Sequence, residues 1–343
     1  MDIESLLERG YAFEEQDRYA DALAVYEQAI TQDPTHSEAW YLKGEALFSL
    51  ERFDEALTAF ERSITLDSNE ADTWLGKGNA LTALERRTEA VEAYEHSITL
   101  DPTQSVAWLL KGIALFDLGQ TMPALQAYER AASLDPTEPE AWIGKGEALA
   151  ELERSEEAVA AYDRALALDP ENVDAWIGHG DSLSDLEDEP AALDSYERAL
   201  ALDPQNADAQ AGRGDALSGM ERFAEALAAY DSAVKLEADN PRAWVGRAAT
   251  LTSMQRYPES LEAYDKAISL DGENPLLWLS RGNTLSLMDR ESDALVAYDK
   301  SIGLDPGFAW AWQAKAHTLR ALGRNDEATV AQRKADQLEP PEA

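Results

Sequence analysis

The chain has 343 residues, with 67 acids against 29 bases and a formal charge of −38. Such a charge repels nucleic acid and anionic membrane surfaces. The absence of cysteine excludes disulfides, thiolate zinc sites and thiol nucleophiles, and no apolar run reaches membrane-spanning length.

From Ile3 to the C-terminus the sequence repeats every 34 residues without an insertion, in ten units starting at 3, 37, 71, 105, 139, 173, 207, 241, 275 and 309. Counting Ile3 as position 1, position 4 is Trp in eight units: Trp40, Trp74, Trp108, Trp142, Trp176, Trp244, Trp278 and Trp312. A fixed period of this length predicts a solenoid, in which each unit buries its apolar face on its neighbours. One array over 3–342 is therefore expected, rather than two or three separate domains.

Each unit reads as two amphipathic helices, over positions 1–14 and 18–30. In the fifth unit Ala141, Trp142, Gly146, Leu149 and Leu152 form one helical stripe. Ala158, Val159, Tyr162, Ala165, Leu166 and Leu168 form the other, across the polar turn Glu153-Arg154-Ser155. Pro123, Pro190 and Pro258 fall at second-helix starts, where a missing N–H costs nothing. Pro34, Pro102, Pro136, Pro170, Pro204, Pro306 and Pro340 close units, since proline discourages helix in the residue before it. The Trp column is expected to supply the core. Glycine at position 8, as in Gly44 and Gly146, costs about 1 kcal/mol of helix propensity against alanine; close helix–helix approach is the expected compensation.

Both ends read as polar caps. Leu6 stands in the Trp column among Glu4, Glu8 and Arg9; Thr329, Gln332 and Asp336 replace apolar residues in the last helix. The array is therefore expected to be complete and monomeric. The seventh unit is irregular: Gln210 replaces Trp and Ala238 replaces the closing proline, which predicts the softest junction at 207–240.

These columns resemble the tetratricopeptide repeat. Its pattern reads here as Trp40, Gly44, Leu47, Ala56, Phe60, Ser63, Ser68 in the second unit, and as Trp142, Gly146, Leu149, Ala158, Tyr162, Ala165, Pro170 in the fifth. The resemblance implies an all-α, right-handed superhelical α-solenoid whose first helices line a concave groove. It also implies that groove positions are 2, 5, 9, 12 and 13. The family's clamp for acidic peptide tails is incomplete: Asn79 and Asn283 match its asparagine, but Leu75 and Leu279 stand where it needs lysine.

One departure from the family pattern is systematic. Position 7 is basic in nine units: Arg9, Lys43, Lys77, Lys111, Lys145, Arg213, Arg247, Arg281 and Lys315, with His179 in the sixth. Position 25 is acidic in nine units, and position 31 in all ten, from Asp33 to Glu339. A ladder is expected, with each long stem beside Trp and its head on a carboxylate; the alternative is a cationic stripe for an acidic ligand.

Charge concentrates in the middle, with nine acids against three bases in the fifth unit and nine against one in the sixth. The expected central lining contains Glu140, Glu147, Glu151, Asp174, Asp181, Asp185, Asp208 and Asp215, with Ile143 and Ile177 between. This lining would suit an extended segment bearing Lys or Arg. Alternatively, the acidity serves only solubility at high salt. Towards the ends Tyr41, Phe48, Ile113, Phe116, Leu276, Leu279, Trp310 and Arg320 are candidate apolar and aromatic contacts. For Trp310 the alternative is packing against the last helix pair.

His36, His96, His179 and His317 occupy four different repeat positions, and no phosphate loop or acid–base cluster is visible. The expectation is a non-catalytic scaffold without cofactor or metal that binds a protein or peptide. It would have no nucleic-acid or membrane partner and would reside in the cytoplasm. The alternatives are a regulatory or assembly subunit, or a chaperone-like holder of an enzyme complex.

Overall fold

The period of 34 residues becomes ten helix pairs in a computed structural model of the chain, which describes residues 2–338. Glu339 and Pro340, the expected close of the tenth unit, lie outside the described residues. The chain divides into two compact units, 1–170 and 171–343. Unit 1 holds α1 (Ile3–Glu14), α2 (Tyr19–Gln32), α3 (Ser37–Ser49), α4 (Phe53–Leu66), α5 (Ala71–Ala83), α6 (Arg87–Leu100), α7 (Ser105–Asp117), α8 (Thr121–Leu134), α9 (Pro139–Glu151) and α10 (Ser155–Leu168). Unit 2 holds α11 (Val173–Asp185), α12 (Glu189–Leu202), α13 (Ala207–Gly219), α14 (Phe223–Leu236), α15 (Pro241–Ser253), α16 (Tyr257–Leu270), α17 (Pro275–Ser286), α18 (Glu291–Leu304), α19 (Ala309–Ala321) and α20 (Asn325–Leu338). Odd-numbered helices are the first of each repeat. Each packs on the even helix that follows it, and α11, α13, α15, α17 and α19 stand side by side.

The turn inside each repeat has one recurring device. Position 15 takes a left-handed conformation: Asp17, Glu51, Glu85, Glu153, Glu187, Glu221, Gln255 and Asp289 have φ of 56–61°, and Gly119 and Gly323 fill the same place. Except after Gly119 and Glu187, where Gln120 and Asp188 stand, an arginine follows and pairs with an acid three residues on, as in Arg52–Glu55, Arg154–Glu157 and Arg222–Glu225. The carboxylate neutralises the start of the second helix while the fork fixes the turn. Hydrogen bonding to the arginine holds the Glu55, Glu157 and Glu225 carboxyls below their ordinary value.

The core lies elsewhere than the Trp column suggested. The tryptophans of the column are half-buried, and within each unit the indole N–H donates to the carbonyl of position 32 of the preceding repeat, as Trp40 does to Pro34 at 3.1 Å and Trp244 to Ala238 at 2.9 Å. The fully buried ring is at position 24: Tyr26, Phe60, Tyr94, Tyr128, Tyr196, Tyr230 and Tyr298 are at most 2% exposed. A ring flanked by packed backbone on both faces loses nearly all contact with water, whereas an indole with its N–H at the loop keeps one edge wet. Glycine at position 8 follows from this. A Cβ on Gly180 would stand 2.8 Å from Tyr196 Cε1, and Gly212 of the next repeat closes the other face of that ring. The compensation for glycine is thus an inserted ring, where direct contact of two helix backbones was expected.

The ladder is present, with one revision. Lys43, Lys77, Lys111, Lys145, Arg213, Arg247, Arg281 and Lys315 reach the position-25 acid of the preceding repeat, for example Lys111–Glu95 at 2.8 Å and Arg247–Asp231 at 2.7 Å. Several heads also lie over the neighbouring indole, as Lys77 does over Trp74 at 5.6 Å. The acids are about half exposed, so each rung contributes at most about 1 kcal/mol. Position 31 is not part of the ladder. Its acid caps the interhelical turn, where Asp33 accepts from the Thr35 N–H and hydroxyl at 2.9 and 2.6 Å. Those bonds hold the Asp33 carboxyl below its ordinary value.

In the seventh repeat Gln210 Oε1 and Arg213 Nε are buried without hydrogen-bond partners.

Candidate binding surface on the first helices

Groove positions 2 and 9 lie two turns apart on a first helix, so their side chains share one face. In unit 1 the expected acids Glu140, Glu147 and Glu151 are exposed and Ile143 is half-buried. Glu138 interacts with Glu140; the hydrogen bond between the two carboxyls, with burial second, pushes Glu138 up to about 7. In unit 2 Asp174, Asp185 and Asp208 are exposed, and Ile177 packs against a cluster that includes Tyr196 and Ala211. Asp208 accepts from Asn240 Nδ2 at 2.8 Å, and Asn240 also caps α15 through the Ala243 N–H.

Asp181 and Asp215 correct the expectation of an open acidic lining. Arg242, from α15, places Nη2 2.8 Å from Asp181 Oδ1 and Nε 2.5 Å from Asp215 Oδ2. Tyr196 donates its hydroxyl to Asp181 at 2.7 Å, and Tyr230 donates to Asp215 at 2.5 Å. The guanidinium lies 6.0 Å from the Tyr196 ring centre. Burial works against the Arg242 charge, but Asp181 and Asp215 outweigh it and hold its pKa above the ordinary value. Part of the acidic centre is therefore already neutralised from within. Sequence reasoning missed Arg242, although its signal was available: position 2 in the other repeats is acidic or apolar, as in Glu38, Asp72 and Asp174, and arginine occurs there only at 242.

A second acidic group gathers in unit 1 where only Tyr41 had been expected. A cleft of about 420 Å³ is lined by Tyr11, His36, Glu38, Tyr41, Glu70 and Asp72, among others. The Tyr11 hydroxyl donates to Glu38 at 3.5 Å. One turn beyond Tyr41 on α3, Glu45 is pushed up to about 7, first by burial and then by Glu14 and Asp72. The Tyr41 hydroxyl is raised as well, by burial ahead of Glu45 and Asp72.

The apolar candidates divide. Trp310 is 68% exposed, which removes the alternative that it packs against the last helix pair; Leu276 is 52% exposed and Ile113 39%. Leu279 is corrected: at 7% exposure it belongs to the core with Leu261 and Tyr298, because position 5 of that repeat turns toward the preceding helix pair. Phe48 is half-buried against Phe53, with ring centres 5.3 Å apart, and Phe116 is half-buried. Arg320 is exposed and donates to Gln332 of α20 at 2.8 Å. His36 caps α3 through the Ala39 N–H, and His96 stacks on Trp74 at 4.3 Å. Among the described residues no group of three or more His, Cys, Asp or Glu is placed to hold a metal, and no helix is long and apolar enough to cross a membrane.

Family models described as "Tetratricopeptide repeat" match residues 7–71, 49–105, 109–173, 212–275 and 311–342, and one described as "TPR repeat" matches 180–221. No curated protein matches the chain. Among solved structures, the APC/C hetero-tetramer Cut9-Hcn1 is 14% identical at a TM-score of 0.62, over 92% of this chain and 76% of that one. A tetratricopeptide repeat protein from Parabacteroides merdae is 15% identical at 0.60, over 73% and 98%. The C-terminal part of a TPR repeat-containing protein from Cytophaga hutchinsonii is 15% identical at 0.58, over 70% and 98%. At these identities the likeness concerns the fold alone.

Proposed function

Taking as premise that the chain belongs to the tetratricopeptide repeat family, we propose that it is a non-catalytic scaffold that binds protein segments on the exposed face of its first helices. The observation that carries this reading is the exposure of large apolar side chains at positions 2 and 9 of first helices, namely Val106, Ile113, Leu276 and Trp310, beside carboxylates at the same positions. Apolar anchors set among charges are the composition of a recognition surface, in which burial supplies affinity and charge supplies register.

The test is selection of a random-peptide display library on the full chain. Enriched peptides should lose at least tenfold in affinity for Ile113→Ser or Trp310→Ala, which remove about 1.5–3 kcal/mol of apolar burial. They should keep it for Val296→Ser, a change as exposed as that at Trp310 but on the second helix α18. Equal loss in all three variants, or no enriched peptide, refutes the reading. Within the same reading the partner is a cationic segment, since the faces of both units carry an excess of carboxylates over bases.

A further inference from the structure

Acids occur in the first helix of each of the first seven repeats, from Glu4 in α1 to Asp208 and Asp215 in α13. They stop there. α15, α17 and α19 contain no Asp or Glu at all, although 67 of the 343 residues are acidic. The charged side chains of these three helices are Arg242, Arg247, Arg281, Lys315 and Arg320. Arg242 marks the boundary, because it takes up Asp215, the last acid of the first helices in chain order.

Four of the five bases are neutralised from within. Arg242 joins Asp181 and Asp215, and Arg247, Arg281 and Lys315 reach Asp231, Asp265 and Asp299 as rungs of the ladder. Arg320 differs. It stands exposed at position 12 of α19 and donates to the neutral amide oxygen of Gln332. Gln332 in turn donates to Asp336 at 2.9 Å, so the amide stands between that acid and the guanidinium. Among the described residues Arg320 forms no ion pair. A guanidinium carries five N–H donors, and a bond to a neutral amide leaves its charge uncompensated.

The same helices expose large apolar side chains. Leu276, Leu287 and Trp310 are each more than half exposed. Leu276 and Leu287 are three turns apart on α17, the latter at a C-cap whose backbone is still helical, so they share one stripe. First helices here stack in near register: Thr252 at position 12 of α15 meets Thr284 at position 10 of α17 at 3.2 Å, and α19 packs on α17 in turn. Leu276 and Trp310, both at position 2, therefore form one end of the face. Leu287 and Arg320, at positions 13 and 12, form the other, about 15 Å away along the helices.

We propose that the face of α17 and α19 binds an acidic segment of a partner protein, with an apolar side chain resting on Leu276 and Trp310 and a carboxylate paired with Arg320. In extended chain, at about 3.3 Å per residue, the two groups stand roughly four or five residues apart. The occupant is anionic because Arg320 is the uncompensated charge of the face and no acid on these helices repels a carboxylate. A cationic segment would find no carboxylate there to pair with. The proposal rests on the reading that first helices bind protein segments, and it reverses, for this stretch alone, the sign of the segment that is bound.

The experiment uses the full chain in 0.15 M KCl, where the screening length is about 8 Å and local charge outweighs the net charge. The probe is the peptide acetyl-Leu-Phe-Ser-Gly-Ser-Glu-amide, set against versions that end in Gln or Lys. The readout is the indole N–H resonance of Trp310, identified by its loss in Trp310→Phe. The Glu peptide should shift it saturably. The Gln peptide should bind at least threefold more weakly, the scale of one exposed ion pair, and the Lys peptide more weakly again. Arg320→Gln should lower the Glu peptide to the affinity of the Gln peptide and leave the Gln peptide unchanged. Leu276→Ser should weaken all three peptides at least threefold, and Ile113→Ser, on the first-helix face of unit 1, should weaken none. Both unit 2 changes are at exposed sites and should keep the circular dichroism spectrum.

Absence of a saturable shift, a Lys peptide that binds as well as the Glu peptide, or a preference for Glu retained in Arg320→Gln overturns the proposal. A dimer of the free chain in sedimentation that Trp310→Ala dissociates assigns the face to a second copy and overturns it equally. Display-selected peptides that depend on Ile113 and Trp310, while the Glu and Lys probes bind alike, overturn the acidic assignment and leave the scaffold reading standing. A Trp310 response to the Glu probe with no peptide enriched does the reverse.

Discussion

Replacing Arg242 by methionine keeps most of the apolar stem and removes the charge that joins Asp181 to Asp215. The three side chains are 35%, 41% and 33% exposed, between a buried pair and a surface pair. Breaking a buried pair costs about 3–5 kcal/mol and an exposed one at most about 1. With two pairs lost, and two carboxylates left facing each other, the discounted cost is roughly 2–3 kcal/mol. Urea denaturation at pH 7 and low salt, read beside amide exchange in α11, α13 and α15, measures it. In 1 M KCl, where the screening length is about 3 Å, the cost should fall to about half. Adding Asp215→Asn to Arg242→Met should recover part of the loss, since one of the orphaned charges is gone. A cost below about 0.5 kcal/mol at low salt, or a second substitution that simply adds its own penalty, refutes the view that Arg242 neutralises this site.

Glu45 titrates in the opposite sense to a salt-bridged acid. Its folded pKa, about 7, lies above the ordinary 4.5, so its contribution to stability is full below pH 4.5 and lost as pH rises through 7. Thermal melts should show roughly 2–3 kcal/mol less stability at pH 8 than at pH 5, and Glu45→Gln should remove that share of the slope; an identical slope in the variant contradicts the assignment. Glu153→Gly, at a left-handed φ of 57°, should gain about 1 kcal/mol in urea titrations, and a loss would show that the side chain matters more than the backbone. Gly180→Ala should lose about 1–3 kcal/mol, because Tyr196 must shift to admit the new methyl group; an unchanged melting curve would mean that the ring has slack.

The helix pairs and their boundaries were readable to within a residue or two, since the period was unbroken and turn residues and prolines marked most of the same boundaries. The ladder was readable as well, because a basic column and an acidic column implied each other. What the one-dimensional pattern could not rank was burial. Trp outweighs Tyr in area, yet it is Tyr196 that lies between Gly180 and Gly212 while the indoles rest against the loops. The candidate surface was less legible for a related reason. Acids counted along the chain gave a charge density but no pairings, and one arginine out of column, Arg242, changed the meaning of two of them. Glu45 escaped notice because the burial and the neighbours Glu14 and Asp72 that raise it come together only when the repeats pack. Leu279 was misjudged from its groove register, which the local packing of α17 overrides.

The aromatic ring held between a glycine of its own repeat and a glycine of the next recurs at Phe60, Tyr128, Tyr196 and Tyr230, which makes those joints alike. Tyr196 closes on Gly212 and Tyr230 closes on Gly246 in the same way. Excising residues 207–240 would bring Tyr196 against Gly246, a seam of the kind already present. At such seams whole cassettes can be added or removed, so chain length becomes a variable for gene duplication or an engineer, and what must be rebuilt are the contacts peculiar to one stretch, such as Arg242–Asp215.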